Sequence, residues 1–447
     1  MFFHFLRYIN PTWYFHLSPK SNFAYFPDFD QLDEAGQGLL EFDRGYSSRD
    51  VSKMDAAYQA WQKGFIISDP AMDLQQGSLQ PTVSDNYRFV RRYFHPYWSW
   101  YVLGLRLLTL HNPVREIYGF LRQSRIRRIN LYSKIYPHPN PHNSQLTTHN
   151  SQPKVSIIIP TLNRYSYLND ALHDLEKQDY PHFDVIVVDQ SEPFQPEFYD
   201  TFQLNIKVIR QEEKALWLAR NTAIKASDAE WIALSEDDVR MPAGWLSNHL
   251  KCLNYFQADI SAGVFFPAGS TIPAGRNFFR WADQFATGNA CLRKEVFRQI
   301  GLFDRQFERQ RMGDGEFGLR AYLAGFKAIS NPYAWCEDVK APIGGLRQMG
   351  SWDAFRPSNW LAPRPVPSVL YFVRKYWGFK HAIYTILVGV PTSLLPYEYK
   401  NRPHLLLLGS LLVIPLLPVI LWQIGKSWFV STKMLRKGPQ IELLNQI

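Results

Sequence analysis

Between residues 154 and 238, short β-branched apolar runs alternate with helical stretches, and this alternation leaves few folds open. KVSIIIP (154–160) reads as a buried strand that ends on a proline. Leu168, Ala171, Leu172 and Leu175 then recur at spacings of three and four, which predicts a helix. PHFDVIVVD (181–189), NIKVIR (205–210) and EWIALS (230–235) read as further strands, and LWLARNTAIKAS (216–227) as a helix. Strands that alternate with helices predict an α/β domain with a mostly parallel sheet covered on both faces. Ligands of such sheets sit beyond the carboxyl ends of the strands. Thr161, Asp189 and the triplet Glu236-Asp237-Asp238 all fall at those ends, so separated positions converge on one rim.

The triplet indicates the chemistry. Consecutive carboxylates at a strand end repel one another unless a cation is near. Hard cations such as Mg²⁺ or Mn²⁺ take oxygen ligands and are commonly shared with substrate phosphates. An isolated acidic triplet is most often a solvated turn. One that follows an apolar strand and precedes MPAGWL (241–246) is better read as a site.

Residues 154–347 resemble the catalytic domain of a family 2 glycosyltransferase with a GT-A fold. The resemblance is carried by seven stretches in the family's order: VSIIIPTLNR (155–164), VIVVDQSE (185–192), LARNTAI (218–224), ALSEDDVRMPAGWL (233–246), TGNACLRKEVFRQIGLFDRQF (287–307), MGDGEFGLRAYLAGF (312–326) and KAPIGGLR (340–347). It implies that Pro160, Thr161, Asn163, Gly288 and Asn289 line the pocket of a nucleotide-diphosphate sugar. Asp189 would contact the base, and Arg220 would lie near the diphosphate. Glu236, Asp237 and Asp238 would hold the ribose and a Mg²⁺ or Mn²⁺ ion. Asp314 would be the general base of an inverting transfer. Gln190 stands where relatives have a second acid, and Gly313 where they have glutamate. Asp338, beside Glu337, falls near the position of the histidine that completes the metal site in many relatives. Gly344-Gly345 would form a loop on the acceptor side. Gln348 to Trp352 lacks the arginine of the processive synthases' signature, since Ser351 stands there, which favours single addition. A catalytically inactive scaffold of envelope polysaccharide assembly is the alternative that these departures suggest.

The chain's net charge of +9 lies outside this segment. Residues 1–87 hold 6 basic and 11 acidic residues, residues 88–134 hold 10 basic residues and one acid, Glu116, and residues 348–447 hold 11 and 3. Residues 1–136 are expected to form an N-terminal extension, helical and rich in arginine and aromatics over 88–134. Residues 137–153 are polar and repeat HNSQ, as a flexible linker would. Residues 348–447 are expected to be membrane-associated helices. Leu405–Ile424 is 20 residues without a charge, enough to span a bilayer, and 382–395 is a shorter apolar run. Lysines and arginines flank the pair on the outside, so both flanks are expected at the cytoplasmic face of the inner membrane. Membrane lipids are then a more economical partner for the basic stretch than nucleic acid. A lipid-linked or polysaccharide acceptor would be within reach. Three cysteines give neither a disulfide framework nor a zinc spacing.

Overall fold

The computed structural model describes residues 3–21, 23–74, 80–138, 153–341, 354–357, 359–396, 399 and 402–444. The linker residues 139–152, Gly344-Gly345 and the Gln348 to Trp352 string lie outside the described residues. The chain divides into two compact units: Met1–His138 with Trp377–Val388, and Pro139–Tyr376 with Gly389–Ile447.

The first unit is helical. Its main helices are α1 (Arg49–Gln62), α2 (Val83–Tyr93), α3 (Pro96–Leu108) and α4 (Pro113–Arg122). Thr82 and Asp85 close a capping box on α2. Asn112 caps α4 just before Pro113, a residue preorganised for a first helical turn. One core gathers Phe5, Tyr8, Tyr87, Val90, Val102 and Phe120, with Tyr384 packed edge to face on Tyr8 at 4.9 Å. The basic stretch 88–134 is not a single patch. Arg88 and Arg92 pair with Asp43 at 2.6 and 2.8 Å, Arg92 also reaches Asp55 at 3.2 Å, and Arg106 pairs with Glu116 at 2.6 Å. The acidic residues 1–87 thus supply counter-ions for part of the arginine excess.

The second unit is built on a nine-stranded sheet. The strands are β1 (Val155–Thr161), β2 (Phe183–Asp189), β3 (Ile206–Arg210), β4 (Trp231–Ser235), β5 (Val239–Arg240), β6 (Ile260–Pro267), β7 (Arg280–Trp281), β8 (Asn289–Arg293) and β9 (Ala328–Asp338). The order is β3-β2-β1-β4-β8-β6-β9-β5, with β7 on β9. β3, β2, β1 and β4 run parallel and β6 pairs parallel to β9, whereas β4–β8, β6–β8, β5–β9 and β7–β9 are antiparallel. The sheet is therefore mixed, which corrects the mostly parallel expectation. The regular strand–helix alternation ends after β4, and β8 then inserts antiparallel between β4 and β6. Helices α5 (Tyr165–Glu176), α6 (Leu216–Ala226) and α7 (Trp245–Phe256) connect the strands, and α8 (Lys294–Ile300) and α9 (Gly313–Ala324) precede β9.

Beyond the sheet lie α10 (Pro367–Tyr376), α11 (Gly378–Thr392), α12 (Pro403–Ser410) and α13 (Val413–Lys437). The expected span 405–424 is not one helix: the chain breaks at Leu411-Leu412 and restarts with Pro415 in the first turn of α13. Proline lacks the N–H that a helix interior needs, so it suits a helix start. Ala382, Ile386 and Val390 of the run 382–395 are buried in protein. Among the described residues one helix, α13, is long and apolar enough to cross a membrane, with a mean hydropathy of 1.5 over its best window.

Candidate active site at the strand rim

The parallel half of the sheet brings the predicted residues to one edge. β1 and β2 are in register so that Thr161 lies opposite Asp189, and Ser235 closes β4 just before the acidic triplet. The Thr161 hydroxyl donates to Asp237 Oδ2 at 2.8 Å. Arg164, three residues beyond Thr161, places its Nη1 at 3.2 Å from Asp237 Oδ1 and 3.0 Å from Asp238 Oδ2. Both aspartates are buried. Burial, and then the charge of Asp238, push the Asp237 carboxyl up to about 7, while Arg164 and Thr161 pull it down. One guanidinium nitrogen therefore serves two neighbouring carboxylates. Arg164 was not among the residues expected at the site, and the fold brings it to both acids.

Glu236 is held separately. Arg220, fully buried, donates to Ser235 O at 3.2 Å and reaches Glu236 Oε1 at 3.5 Å. Gly288 lies against the same carboxylate, where an added Cβ would stand 3.1 Å from Glu236 Cδ. Pro160 is buried in β1. Asn163 has φ 54 and lies across the rim, its N–H donating to Ser191 Oγ at 2.7 Å and its Oδ1 accepting from the Glu192 N–H at 2.8 Å.

Two of the predicted residues are turned inward. Asp189 is fully buried, and its carboxylate accepts from the Tyr165 and Tyr199 hydroxyls, each at 2.7 Å, and from the Ser191 N–H at 2.8 Å. Its neighbour Gln190 accepts from the Ala215 N–H at 2.7 Å. Asn289 is also fully buried. Its Oδ1 accepts from Trp245 Nε1 at 2.8 Å and lies 3.0 Å from His249 Nε2, and its Nδ2 donates to Val264 O and Ala334 O. Gly263 leaves room for this amide, because a Cβ there would stand 2.3 Å from Asn289 Oδ1. In this arrangement Asn289 ties β8 to β6, β9 and α7.

Asp314 is half-buried in the first turn of α9, where its Oδ1 accepts from the Gly315 N–H at 2.8 Å. The helix follows Met312, which has φ 75, and Gly313 packs on the Trp217 ring of α6. The Trp217 indole N–H donates to Phe307 O at 2.9 Å. The base candidate thus stands at the positive end of a helix dipole, on an element wedged against the helix that carries Arg220.

The donor set suits a hard cation. Asp237 and Asp238 present carboxylate oxygens side by side, and Mg²⁺ or Mn²⁺ is commonly held by one or two carboxylates plus substrate phosphates. Among the described residues no three His, Cys, Asp or Glu side chains surround one point. Asp338 lies at the end of β9 opposite Val239, and its Oδ1 accepts from the Lys340 N–H at 3.1 Å. Two acids suffice where phosphates supply the remaining ligands.

The model of Glycosyl transferase family 2 matches residues 156–312, about a third of the chain. This segment is similar in sequence to the glycosyltransferases of family 2. The glycosyltransferase GlyA of Streptococcus pneumoniae serotype 4 (strain ATCC BAA-334 / TIGR4) is 24% identical over 164 residues, 36% of this chain and 22% of that protein. TuaG of Bacillus subtilis (strain 168), whose name assigns it to teichuronic acid biosynthesis, is 27% identical over 245 residues, 52% of this chain and 94% of that one. The chain therefore spans 22% of the first of these relatives and nearly all of the second. The mannosyltransferase PcManGT of Pyrobaculum calidifontis, solved with GDP-Man and Mn²⁺, aligns with a TM-score of 0.40 at 15% identity, over 67% of this chain and 92% of that one.

Proposed function

We propose that the protein transfers a sugar from a nucleotide-diphosphate donor to a lipid-linked or polysaccharide acceptor at the cytoplasmic face of a membrane, with inversion at the anomeric carbon. The observation that carries this reading is the cluster Thr161–Asp237–Arg164–Asp238, a pair of buried carboxylates at the carboxyl end of a parallel sheet. Asp237 and Asp238 would hold Mg²⁺ or Mn²⁺, which neutralises charge on the departing diphosphate when bound. Thr161 orients Asp237, and Arg220 fixes Glu236 toward the ribose. Asp314 takes the proton of the acceptor hydroxyl as that oxygen attacks. Asp189, sealed by two tyrosines, shapes the base pocket, and its carboxylate is spent within the protein.

The membrane reading rests on an inverted helix. α13 buries Ile420, Gln423, Ser427, Ser431 and Met434, a largely polar stripe, while Ile414, Leu417, Leu421, Trp422 and Phe429 are exposed. A helix of a water-soluble surface shows the opposite arrangement. Arg374 of α10 donates to Ser431 Oγ and Thr432 Oγ1, both at 2.8 Å, so the basic end of α13 is fastened to the catalytic unit. A helix held this way keeps the catalytic unit on the side of its lysines, which is the cytoplasmic side by the positive-inside rule.

The test is release of nucleoside diphosphate from a panel of nucleotide sugars, using membranes that contain the protein, Mn²⁺ and acceptor lipid. Wild type should release one nucleotide, and Asp314→Asn should lose roughly 10²–10⁴-fold in turnover with an unchanged melting temperature. Failure of every donor with wild type would refute the enzyme reading.

A further inference from the structure

The turn between α3 and α4 exposes side chains that water disfavours. Leu108 is 83% exposed and Leu110 is 93% exposed. Leu110 also has φ 60, a left-handed conformation that favours glycine or asparagine, yet a leucine stands there. In α4 the inward face is Glu116, Gly119 and Phe120. A second apolar stripe, Val114, Ile117, Tyr118 and Leu121, recurs at helical spacing and is exposed. Trp100 of α3, itself exposed, joins this face by packing tilted on the Phe120 ring at 4.4 Å between centroids. Scattered exposed apolar residues are ordinary, but a second continuous stripe is a contact surface.

Its charge names the partner. Arg115 and Arg122 of α4, and Arg125, Arg127 and Arg128 in the segment just after it, are exposed. The one acid between residues 88 and 134, Glu116, is buried and held by Arg106 at 2.6 Å and the Tyr87 hydroxyl at 3.0 Å. The surface is thus aliphatic at its centre and cationic at its edge, with no exposed acid in the stretch. Five aliphatic side chains, Leu108, Leu110, Val114, Ile117 and Leu121, outnumber the two exposed rings Trp100 and Tyr118, whereas nucleic acid is held chiefly on stacked rings. Aliphatic side chains that enter the acyl boundary, with arginines at headgroup level, match an anionic bilayer. We propose that the α3–α4 turn is a membrane-docking surface selective for anionic lipid, separate from α13. The inference goes beyond the transferase reading, because vesicle binding needs no turnover.

The experiment uses the full chain with Leu110→Cys. Cys252, Cys291 and Cys336 are buried, so the introduced thiol takes an environment-sensitive fluorophore selectively. Vesicles of phosphatidylcholine are compared with vesicles that also contain phosphatidylglycerol. On the anionic vesicles the label should shift to the blue, be quenched by spin-labelled lipid and be shielded from aqueous iodide. Arg125→Gln, Arg127→Gln and Arg128→Gln should each weaken this docking about fivefold, since an arginine near an anionic surface contributes ~1 kcal/mol. An unlabelled Leu108→Glu/Leu110→Glu variant with unchanged melting should show at least ~10-fold weaker partition. A label that stays open to iodide on vesicle-bound protein overturns the proposal, as does docking indifferent to phosphatidylglycerol. Protection that appears without lipid as protein concentration rises would assign the face to a second copy and overturn it equally.

Discussion

Replacing Arg164 by methionine isolates the electrostatics of the rim. The substitution keeps a long side chain and removes a cation shared by Asp237 and Asp238, whose oxygens lie 3.2 and 3.0 Å from its Nη1. At about 4 Å between charge centres, a pair near a protein surface is worth ~4 kcal/mol at an effective dielectric of 20. Two pairs would give ~8 kcal/mol, but desolvation offsets much of that. Breaking a buried pair by removing one partner typically costs about 3–5 kcal/mol. That range is the expected loss at about pH 8, where Asp237, pushed up to about 7, is mostly ionised beside Asp238. At roughly 2–4 °C per kcal/mol, the catalytic unit should melt about 6–20 °C lower. Mn²⁺ should restore the missing charge, so saturating Mn²⁺ should raise the melting temperature of Arg164→Met more than that of wild type. An occupancy at 100 times the dissociation constant stabilises by ~2.7 kcal/mol. Differential scanning calorimetry with and without Mn²⁺ reads both effects. A loss below ~1 kcal/mol, or equal Mn²⁺ stabilisation of the two proteins, would show that Arg164 does not balance these acids.

Other perturbations follow from the same geometry. Gly313→Ala would place a Cβ 2.3 Å from Trp217 Cζ2. Overpacking of this kind should destabilise by about 1–3 kcal/mol and lower turnover by shifting Asp314, measurable by urea unfolding alongside nucleotide release. His249 is fully buried, and burial lowers its pKa from 6.5 to about 4. Between those values the unfolded chain binds a proton that the folded chain does not, so stability falls as pH falls through that window. The full loss is about 3 kcal/mol by pH 4, and His249→Gln should flatten this part of the stability profile.

The parallel half of the domain was legible because β1 and β4 are buried throughout, β2 over most of its length, and even the edge strand β3 keeps a short β-branched run. VSIIIP, VIVVD, KVIR and WIALS are short unbroken apolar runs, and the observed strands begin and end within a residue or two of them. The antiparallel half was not legible. β9 contains Pro332, β6 bends between Gly263 and Phe265, and β5 and β7 are two residues each, so period and length fail as signals. The acids of the site could be placed because they end strands. Arg164 could not, because its partners lie 73 and 74 residues away and only the fold brings them together. The roles expected of Asp189 and Asn289 came from the family resemblance, carried over by position. Position does not reveal that Tyr165 and Tyr199 close over one, or that four internal groups surround the other. The apolar run 405–424 falls on two helices, Pro403–Ser410 and Val413–Lys437, because its charge-free composition does not mark the break at Leu411-Leu412.

The helical unit is discontinuous: Tyr8 meets Tyr384 in a unit whose first part ends at His138. Synthesis proceeds from the amino terminus at ~5–20 residues per second, so the stretch from residue 138 to residue 384 takes roughly 10–50 s. During that interval the nascent unit lacks part of its wall. The catalytic sheet, whose last strand ends at Asp338, is translated in full before that wall arrives. The order of emergence from the ribosome therefore favours a catalytic sheet that is already paired when the amino-terminal unit closes, with Gly389–Ile447 added to the catalytic unit last.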